Sequence, residues 1–253
     1  MPILTIAARE LRSMFLSPLA WSILAVVQLI LGYMFLINID GFKLVQPRLA
    51  GLEGAPGLTD LVIAPLLGSA AVVLLLVTPL LTMRLISEER RNQTLSLLFS
   101  APLSMTQIVL GKYLGLLGFL LIMLGMIALM PLALLIGGKI DGGQVAAGLL
   151  GLALLLSSFA AVGLFMSTLT AQPTVAAIST FGILLLLWIL DWAGAMQAEQ
   201  ASSNLFTYLS LVNHYEALLR GIFRSSDIIY YLLFILTFLV LSIRRLDAYR
   251  LQH

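Results

Sequence analysis

Residues 83–111 read MRLISEERRNQTLSLLFSAPLSMTQIVLG and interrupt a very apolar chain near its middle. The stretch carries a cluster of charged side chains, and a lysine follows it directly: Arg84, Glu88, Glu89, Arg90, Arg91 and Lys112. A charged side chain at the centre of a bilayer costs about 2.5–3.5 kcal/mol on insertion scales. The cluster is therefore expected to lie in water, between two helices that cross a membrane.

The same stretch is expected to be ordered. From Thr94 onward the spacing predicts a short amphipathic helix, with the apolar residues Leu95, Leu97, Leu98 and Phe99. Pro102 ends this helix, because proline disfavours helical backbone in the residue before it. Ser104 and Gln107 are spaced as a capping box, so a new helix is predicted to begin there. A short charged helix between two membrane helices is typical of a segment that contacts a partner outside the membrane.

These residues resemble the permease subunits of type 2 (ABC-2) ABC exporters, and most closely the gliding-motility branch. The motifs that carry the resemblance are Pro79-Leu-Leu-Thr-Met-Arg84, Glu88-Glu89-Arg90, Thr94-Leu95, Ser100-Ala101-Pro102 and Val109-Leu-Gly-Lys112. The resemblance implies that residues 84–112 form a cytoplasmic coupling region that docks on a separate ATPase. The chain departs from the family pattern at Gln93, where a glycine usually precedes the threonine, and this concerns the local backbone turn.

The composition excludes several classes of protein. Of 253 residues, 60% are hydrophobic and 10% are charged, whereas a soluble domain carries about 25% charged residues. This predicts an all-α integral membrane protein with a single domain over residues 1–253. A net charge of +2 does not suggest a nucleic-acid partner, and the absence of cysteine excludes disulfides and thiol chemistry. With two histidines, little scope exists for a histidine-based metal site, and no metal is expected.

The first segment, residues 2–16, is predicted to be a helix that lies in the membrane interface. One side of it is apolar, while Arg9 and Arg12 lie on the other side, where they can meet lipid phosphates. A signal peptide is the alternative. No small-residue cleavage site follows the apolar run, which continues without charge to Ile39, so a retained helix is favoured.

Six transmembrane helices are predicted after this segment. The stretch 142–190 holds no charge and is too long for one span, so it is divided at Thr170–Pro173. A loop is expected over Asp40–Asp60. Gly111 and Gly115 permit close approach of another helix, for which a partner within the same chain is expected. The spans are Leu19–Ile37, Leu61–Met83, Tyr113–Gly137, Val145–Leu169, Thr174–Leu190 and Ile228–Ile243.

Residues 191–227 mix charged and apolar side chains and are predicted to lie on the extracytoplasmic side. The apolar residues within them are numerous enough for helices that dip into the outer leaflet. The family has re-entrant helices at this place, before its last span, and His214, Tyr215 and Gly221 fall within the matching part. A lone histidine in such a hairpin is more often a hydrogen-bonded structural residue than a functional site, and that interpretation is favoured for His214.

The distribution of basic residues predicts the orientation. Nine of the fourteen lysines and arginines fall in the N-terminal segment, the central cluster and the C-terminal tail. The positive-inside rule therefore places both termini and the cluster in the cytoplasm. The family resemblance implies a multi-pass protein of the bacterial inner membrane.

Motifs of catalysis are absent from the sequence. There is no His-Glu-x-x-His pair, no Gly-x-Ser-x-Gly elbow and no pair of carboxylates within a span, so an enzyme is not expected. Ion-coupled carriers use ionisable groups within the membrane, and the predicted span interiors have none. The chain also lacks a Walker A sequence, Gly-x4-Gly-Lys-Ser/Thr. Energy supplied by a separate ATPase is consistent with both absences.

The resemblance implies a permease subunit of an ATP-driven exporter, paired with a second copy or a related permease. Two cytoplasmic ATPase subunits would hold ATP and Mg, and no cofactor is expected in this chain. In the coupling region, Glu88, Glu89 and Arg90 are predicted to make polar contacts with the ATPase. Leu95, Leu98 and Phe99 are predicted to fill an apolar groove on it. Thr94 and Pro102 are counted among the coupling residues. The alternative is an ATP-independent membrane carrier or scaffold.

Overall fold

The computed structural model describes residues 2–49, 56–94, 103–134, 140–196 and 210–250. Over these ranges the chain is helical and has no strand, which confirms the predicted all-α class. A π-helical turn at Thr59–Ile63 leads into the third helix. The helices are α1 (Pro2–Leu16), α2 (Pro18–Leu49), α3 (Ala64–Thr82), α4 (Ser87–Arg91), α5 (Met105–Ala133), α6 (Gly142–Leu169), α7 (Pro173–Met196), α8 (Leu211–Leu219) and α9 (Ser225–Arg250).

Five helical stretches are long and apolar enough to cross a membrane, counted over the part of the chain that the structure describes. They are Pro18–Arg48, Thr59–Arg91, Met105–Ala133, Gly142–Leu169 and Ser225–Arg250. A further stretch, Pro173–Ile189, is apolar but shorter. The prediction of a multi-pass membrane protein is confirmed at this level, and the count of six spans stays a prediction.

The division of the uncharged stretch into two helices is confirmed. Asp141 caps the start of α6, where its Oδ1 accepts the backbone N–H groups of Gly143 (2.9 Å) and Gln144 (3.2 Å). That helix ends at Leu169, and α7 begins at Pro173. Proline is suited to the first position of a helix, because the N–H group that it lacks would have no partner within the helix there.

The predicted loop over Asp40–Asp60 is wrong in its first part, because α2 continues to Leu49. Asp40 and Lys43 lie one turn apart on this helix and form an exposed ion pair of 3.2 Å. Charged residues mark where a helix leaves the bilayer, and a helix can continue in water beyond that level. The same reason explains why α9 extends past the predicted end of its span, Ile243, to Arg250.

The start of α5 is set by a capping box, as predicted. The Ser104 hydroxyl accepts the N–H of Gln107 (3.2 Å), and the Gln107 side chain accepts the N–H of Ser104 (3.1 Å). The helix therefore begins well before Tyr113, which was the predicted start of the span. Its described part ends near Leu134.

The N-terminal helix α1 packs along the first half of α5. A Cβ atom added to Gly111 would lie 2.7 Å from Ile6, and one added to Gly115 would lie 2.6 Å from the Cβ of Glu10. These glycines therefore serve a contact within the chain, as expected. The apolar side of α1 is partly covered by protein, since Phe15 packs on Phe119 with ring centroids 5.4 Å apart. Helix 2–16 is thus confirmed as a helix, and its interfacial position stays a prediction.

The centre of the bundle is α6, which contacts α3, α5, α7, α8 and α9. Its buried side chains include Phe159 and Ser167, and most of its second half is buried. Because α6 contacts most of the other long helices, it can position the elements that lie at its two ends. One end adjoins α4, and the other adjoins α8.

Candidate functional site

The segment between α3 and α5 begins with α4, and a serine of α6 holds the start of α4. The Ser167 hydroxyl is buried and accepts the backbone N–H groups of Ile86 and Ser87, both at 3.0 Å. It also donates to the carbonyl of Met83 at 3.3 Å. The first N–H groups of a helix have no partner within the helix, so the Ser167 hydroxyl supplies the hydrogen-bond acceptor for the start of α4. Sequence reasoning missed Ser167, although a serine near the end of an uncharged span was a usable signal.

The end of α4 is closed by a left-handed turn at Gln93, whose φ is 57°. The N–H of Thr94 donates to the carbonyl of Glu89 (3.0 Å), and the N–H of Gln93 donates to that of Arg90 (3.3 Å). This pair of hydrogen bonds is a Schellman motif, which favours glycine at the left-handed position. The departure from the family pattern at Gln93 therefore leaves the turn in place, with a side chain where glycine is preferred.

A comparison of glycine and alanine at position 93 isolates the backbone cost of this turn. Left-handed backbone costs about 1–2 kcal/mol for a residue with a Cβ atom, so Gln93→Gly is expected to be more stable than Gln93→Ala by about 1 kcal/mol. Both variants lose the contacts of the glutamine side chain, which therefore cancel. Thermal unfolding in detergent measures the difference. An alanine variant as stable as the glycine variant would contradict the strained turn.

A buried lysine on α5 links that helix to α1 and to α4. The Lys112 ammonium group lies 3.1 Å from Oε2 of Glu10 on α1 and 2.8 Å from Oε1 of Glu89 on α4. The Lys112 side chain is 6% exposed. Because Gly115 has no side chain, α1 can approach α5 closely enough for this cluster to form. Lys112 was placed in the charged cluster that is expected to lie in water, and the structure corrects this, because its charge is paired inside the protein.

Arg90 connects α4 to two further helices. Its Nη1 donates to the carbonyl of Thr168 at 2.9 Å, and its guanidinium lies 4.6 Å from the ring centroid of Tyr249 on α9. The carbonyls at a helix C-terminus carry partial negative charge, and here the end of α6 meets a cation. Arg90 and Glu89 are thus both engaged within the chain. Their described contacts hold α4 in position.

The other predicted coupling residues differ in exposure. Glu88 pairs with Arg84 at 3.8 Å, and both side chains are nearly half exposed, so the pair contributes little to stability. Thr94 is exposed at the end of the turn. Leu95, Leu98, Phe99 and Pro102 lie outside the described residues. The structure therefore brings together Glu89, Arg90 and Lys112, and it leaves Glu88 and Thr94 facing outward.

The opposite end of the bundle holds the predicted hairpin residues. His214 Nδ1 lies 2.7 Å from Oδ1 of Asp227, and the imidazole stacks on Tyr230 with centroids 4.2 Å apart. His214 is therefore hydrogen-bonded, as expected, and its structural role stays a prediction. Gly221 has a φ of 75° and closes α8.

Tyr215 fastens α8 to the bundle. Its hydroxyl donates to the carbonyl of Leu67 at 2.9 Å, and burial raises the pKa of its phenol. Residues 197–209 of the predicted re-entrant segment 191–227 lie outside the described ranges. Among residues that the structure does describe, no group of His, Asp and Glu side chains is arranged to hold a metal ion.

Comparison with known proteins adds one finding to this geometry. A family profile with the description "ABC-2 family transporter protein" matches residues 4–251, almost the whole chain. No curated protein matches the chain at a significant level.

Proposed function

The chain belongs to the ABC-2 family of transporter proteins, and from this premise we propose that it is the permease subunit of an ATP-driven exporter. Membership supports a membrane transport subunit that associates with an ATPase. The 253 residues hold no Walker A sequence, so the proposal places ATP and Mg on two separate cytoplasmic ATPase subunits. A second permease copy, or a related permease, completes the transporter. The apolar spans favour an amphiphilic, lipid-linked or polymeric cargo.

The observation that carries the proposal is the way in which α4 is held. Ser167 binds its first N–H groups, Arg90 binds the end of α6, and Glu89 binds Lys112 on α5. A short helix fastened to several long helices moves together with them. An ATPase that displaces α4 would therefore displace the ends of α1, α5, α6 and α9, which is what coupling requires.

The described contacts refine the role of each predicted coupling residue. Glu89 and Arg90 act as positioning residues in this proposal, because their described partners lie within the chain. Direct contact with the ATPase is assigned to Glu88, which is partly exposed, and to Thr94, which is exposed. Leu95, Leu98 and Phe99 are proposed to fill an apolar groove on the ATPase, and Pro102 belongs to the same coupling segment.

The proposed topology has six spans, with both termini in the cytoplasm of a bacterium and the chain in its inner membrane. Five of the described stretches are long and apolar enough to cross a membrane, and α7 is proposed as the remaining span. The segment 191–227 is proposed to enter the outer leaflet, with the His214–Asp227 pair at its base. Within the family, the gliding-motility branch is proposed from the motifs between Pro79 and Lys112.

Cysteine labelling tests this orientation in a chain without native cysteine. Gln172 is exposed in the break between α6 and α7, and Ser225 is exposed at the start of α9. Gln172→Cys is expected to react with an impermeant maleimide from the cytoplasmic side, and Ser225→Cys from the opposite side. Reaction of both residues from one side would contradict the six-span topology.

Co-purification tests the coupling role. Leu98→Asp places a charge in the proposed groove without changing a span, so we expect normal membrane yield and loss of the ATPase. Glu88→Gln is the comparison variant, and its effect is expected to be smaller. An exposed ion pair is worth about 0.2–1 kcal/mol, so stimulated turnover should fall by about fivefold at most. A Leu98→Asp chain that inserts normally and retains a fully stimulated ATPase would favour the alternative, an ATP-independent carrier or scaffold.

A further inference from the structure

A cavity of about 280 Å³ lies between α1, the start of α2, the end of α3 and α4. We call it the interfacial cavity. Part of its lining is apolar, with Leu80, Leu81 and Met14. The rest is polar, and Ser13 and Ser17 add hydroxyl groups to the charged side chains. An apolar wall beside a polar one is typical of a site for an amphiphile.

The surroundings of the interfacial cavity are those expected at the level of lipid headgroups. Trp21 stands near the start of α2 with 59% of its surface exposed, and its indole N–H donates to the carbonyl of Phe15 at 2.8 Å. Tryptophan is enriched where membrane meets water. Leu16 and Leu80 are exposed beside the cavity by 75% and 44%, so acyl chains would find an apolar surface there. The charged lining then lies at the depth of the phosphates.

The charges of the lining balance one another. Lys112 is already paired with Glu10 and Glu89, whereas Arg9 has no ion pair among the residues that the structure describes. A planar guanidinium suits a phosphate, to which it can donate two parallel hydrogen bonds. The bases of the lining are Arg9, Arg84 and Lys112, and its acids are Glu10, Glu88 and Glu89.

From this balance we infer that the interfacial cavity binds the headgroup of a phospholipid that carries both a phosphate and a primary ammonium group. The phosphate contacts Arg9, and the ammonium group contacts the carboxylates on α4. Once Arg9 binds the phosphate, the three carboxylates of the lining share only two cations, Arg84 and Lys112, and a purely anionic headgroup leaves this deficit of one positive charge in place. A quaternary amine such as choline has no N–H group to donate to them. The inference needs the membrane placement of α1, and it shares Glu88 with the proposed ATPase contact. Because lipid binding is measured without the ATPase, the two proposals can fail separately.

Native mass spectrometry of the full chain in mild detergent tests the site. The chain is titrated with dioleoyl phosphatidylethanolamine, phosphatidylcholine or phosphatidylglycerol of the same acyl composition. We expect the first bound lipid to be ethanolamine-type, with about tenfold higher affinity than either competitor, since charged hydrogen bonds distinguish them. Equal affinity for the three lipids, or preference for phosphatidylglycerol, would overturn the inference.

Variants of exposed residues locate the site without disturbing the fold. Arg9→Gln and Glu88→Gln are each expected to lower the affinity for phosphatidylethanolamine by about tenfold. Arg12→Gln is the matched control, because Arg12 is exposed on the same helix but does not line the cavity. Its affinity should equal that of the wild type. If Arg12→Gln weakens binding as much as Arg9→Gln does, α1 attracts lipid without a specific site, and the inference fails.

Discussion

Replacement of Lys112 by methionine is expected to lower the free energy of unfolding by about 3 kcal/mol. The substitution removes the only cation that Glu10 and Glu89 contact within the described residues, at 3.1 and 2.8 Å. Loss of one partner from a buried ion cluster costs about 3–5 kcal/mol, because the remaining charge has neither water nor a counter-ion. The lower end applies here, since the two glutamate side chains keep 22% and 28% exposure.

A rescue experiment separates this charge effect from loss of packing. The triple variant Lys112→Met, Glu10→Gln, Glu89→Gln has no unpaired charge, and replacement of a whole buried ion cluster by neutral groups is often neutral or stabilising. Thermal unfolding in detergent should therefore show a large loss in the single variant and recovery of most of it in the triple variant. A single variant with the same unfolding temperature as the wild type would mean that the ion cluster contributes nothing to stability.

The same pair of variants also bears on the proposed coupling. In the triple variant the helices remain packed, but Glu89 no longer ties α4 to Lys112. We expect this variant to fold and to show weaker ATPase stimulation than the wild type. Full stimulation in a stable triple variant would assign the positioning of α4 to Ser167 and Arg90 alone.

Gly163→Ala is expected to destabilise the chain by about 1–3 kcal/mol, although alanine is the better helix former. A Cβ atom at Gly163 on α6 would lie 2.5 Å from the Cβ of Thr82 on α3. Thr82 cannot rotate away easily, because its hydroxyl donates to the carbonyl of Thr78 at 3.0 Å. The end of α3 must then move away from α6. Ser167, one helical turn further along α6, would lose its hold on α4.

A matched glycine provides the control. Gly125 on α5 has no other part of the described chain within 4 Å of an added Cβ atom. Gly125→Ala should therefore be neutral or stabilising by about 0.5–1 kcal/mol, from helix propensity alone. Unfolding midpoints and ATPase stimulation are measured for both variants. Equal stability of the two alanine variants would contradict the close approach of α3 and α6.

Local chemistry explains which features could be predicted from the sequence. The capping box of Ser104 and Gln107 involves neighbouring residues, and it forms as predicted. The break at Thr170–Pro173 follows from the length of an uncharged stretch and from the constraint that proline imposes. Small residues at Gly111 and Gly115 predicted a close helix contact, although not which helix would supply it. Each of these depends on interactions within a few residues, or on the thickness of a bilayer.

The membrane class was also determined by the sequence alone, because burial of apolar side chains and exclusion of charge from lipid do not depend on the details of the fold. The partners of Lys112, Ser167 and Arg90 were decided only by the tertiary structure. Lys112 meets Glu10, 102 positions away, and Ser167 meets Ile86, 81 positions away. A charge in the sequence shows that a partner or water is required, but only the packing of α1, α4 and α6 determines which of the two it meets. For that reason Lys112 was expected to lie in water, whereas in the fold it is buried and connects three helices.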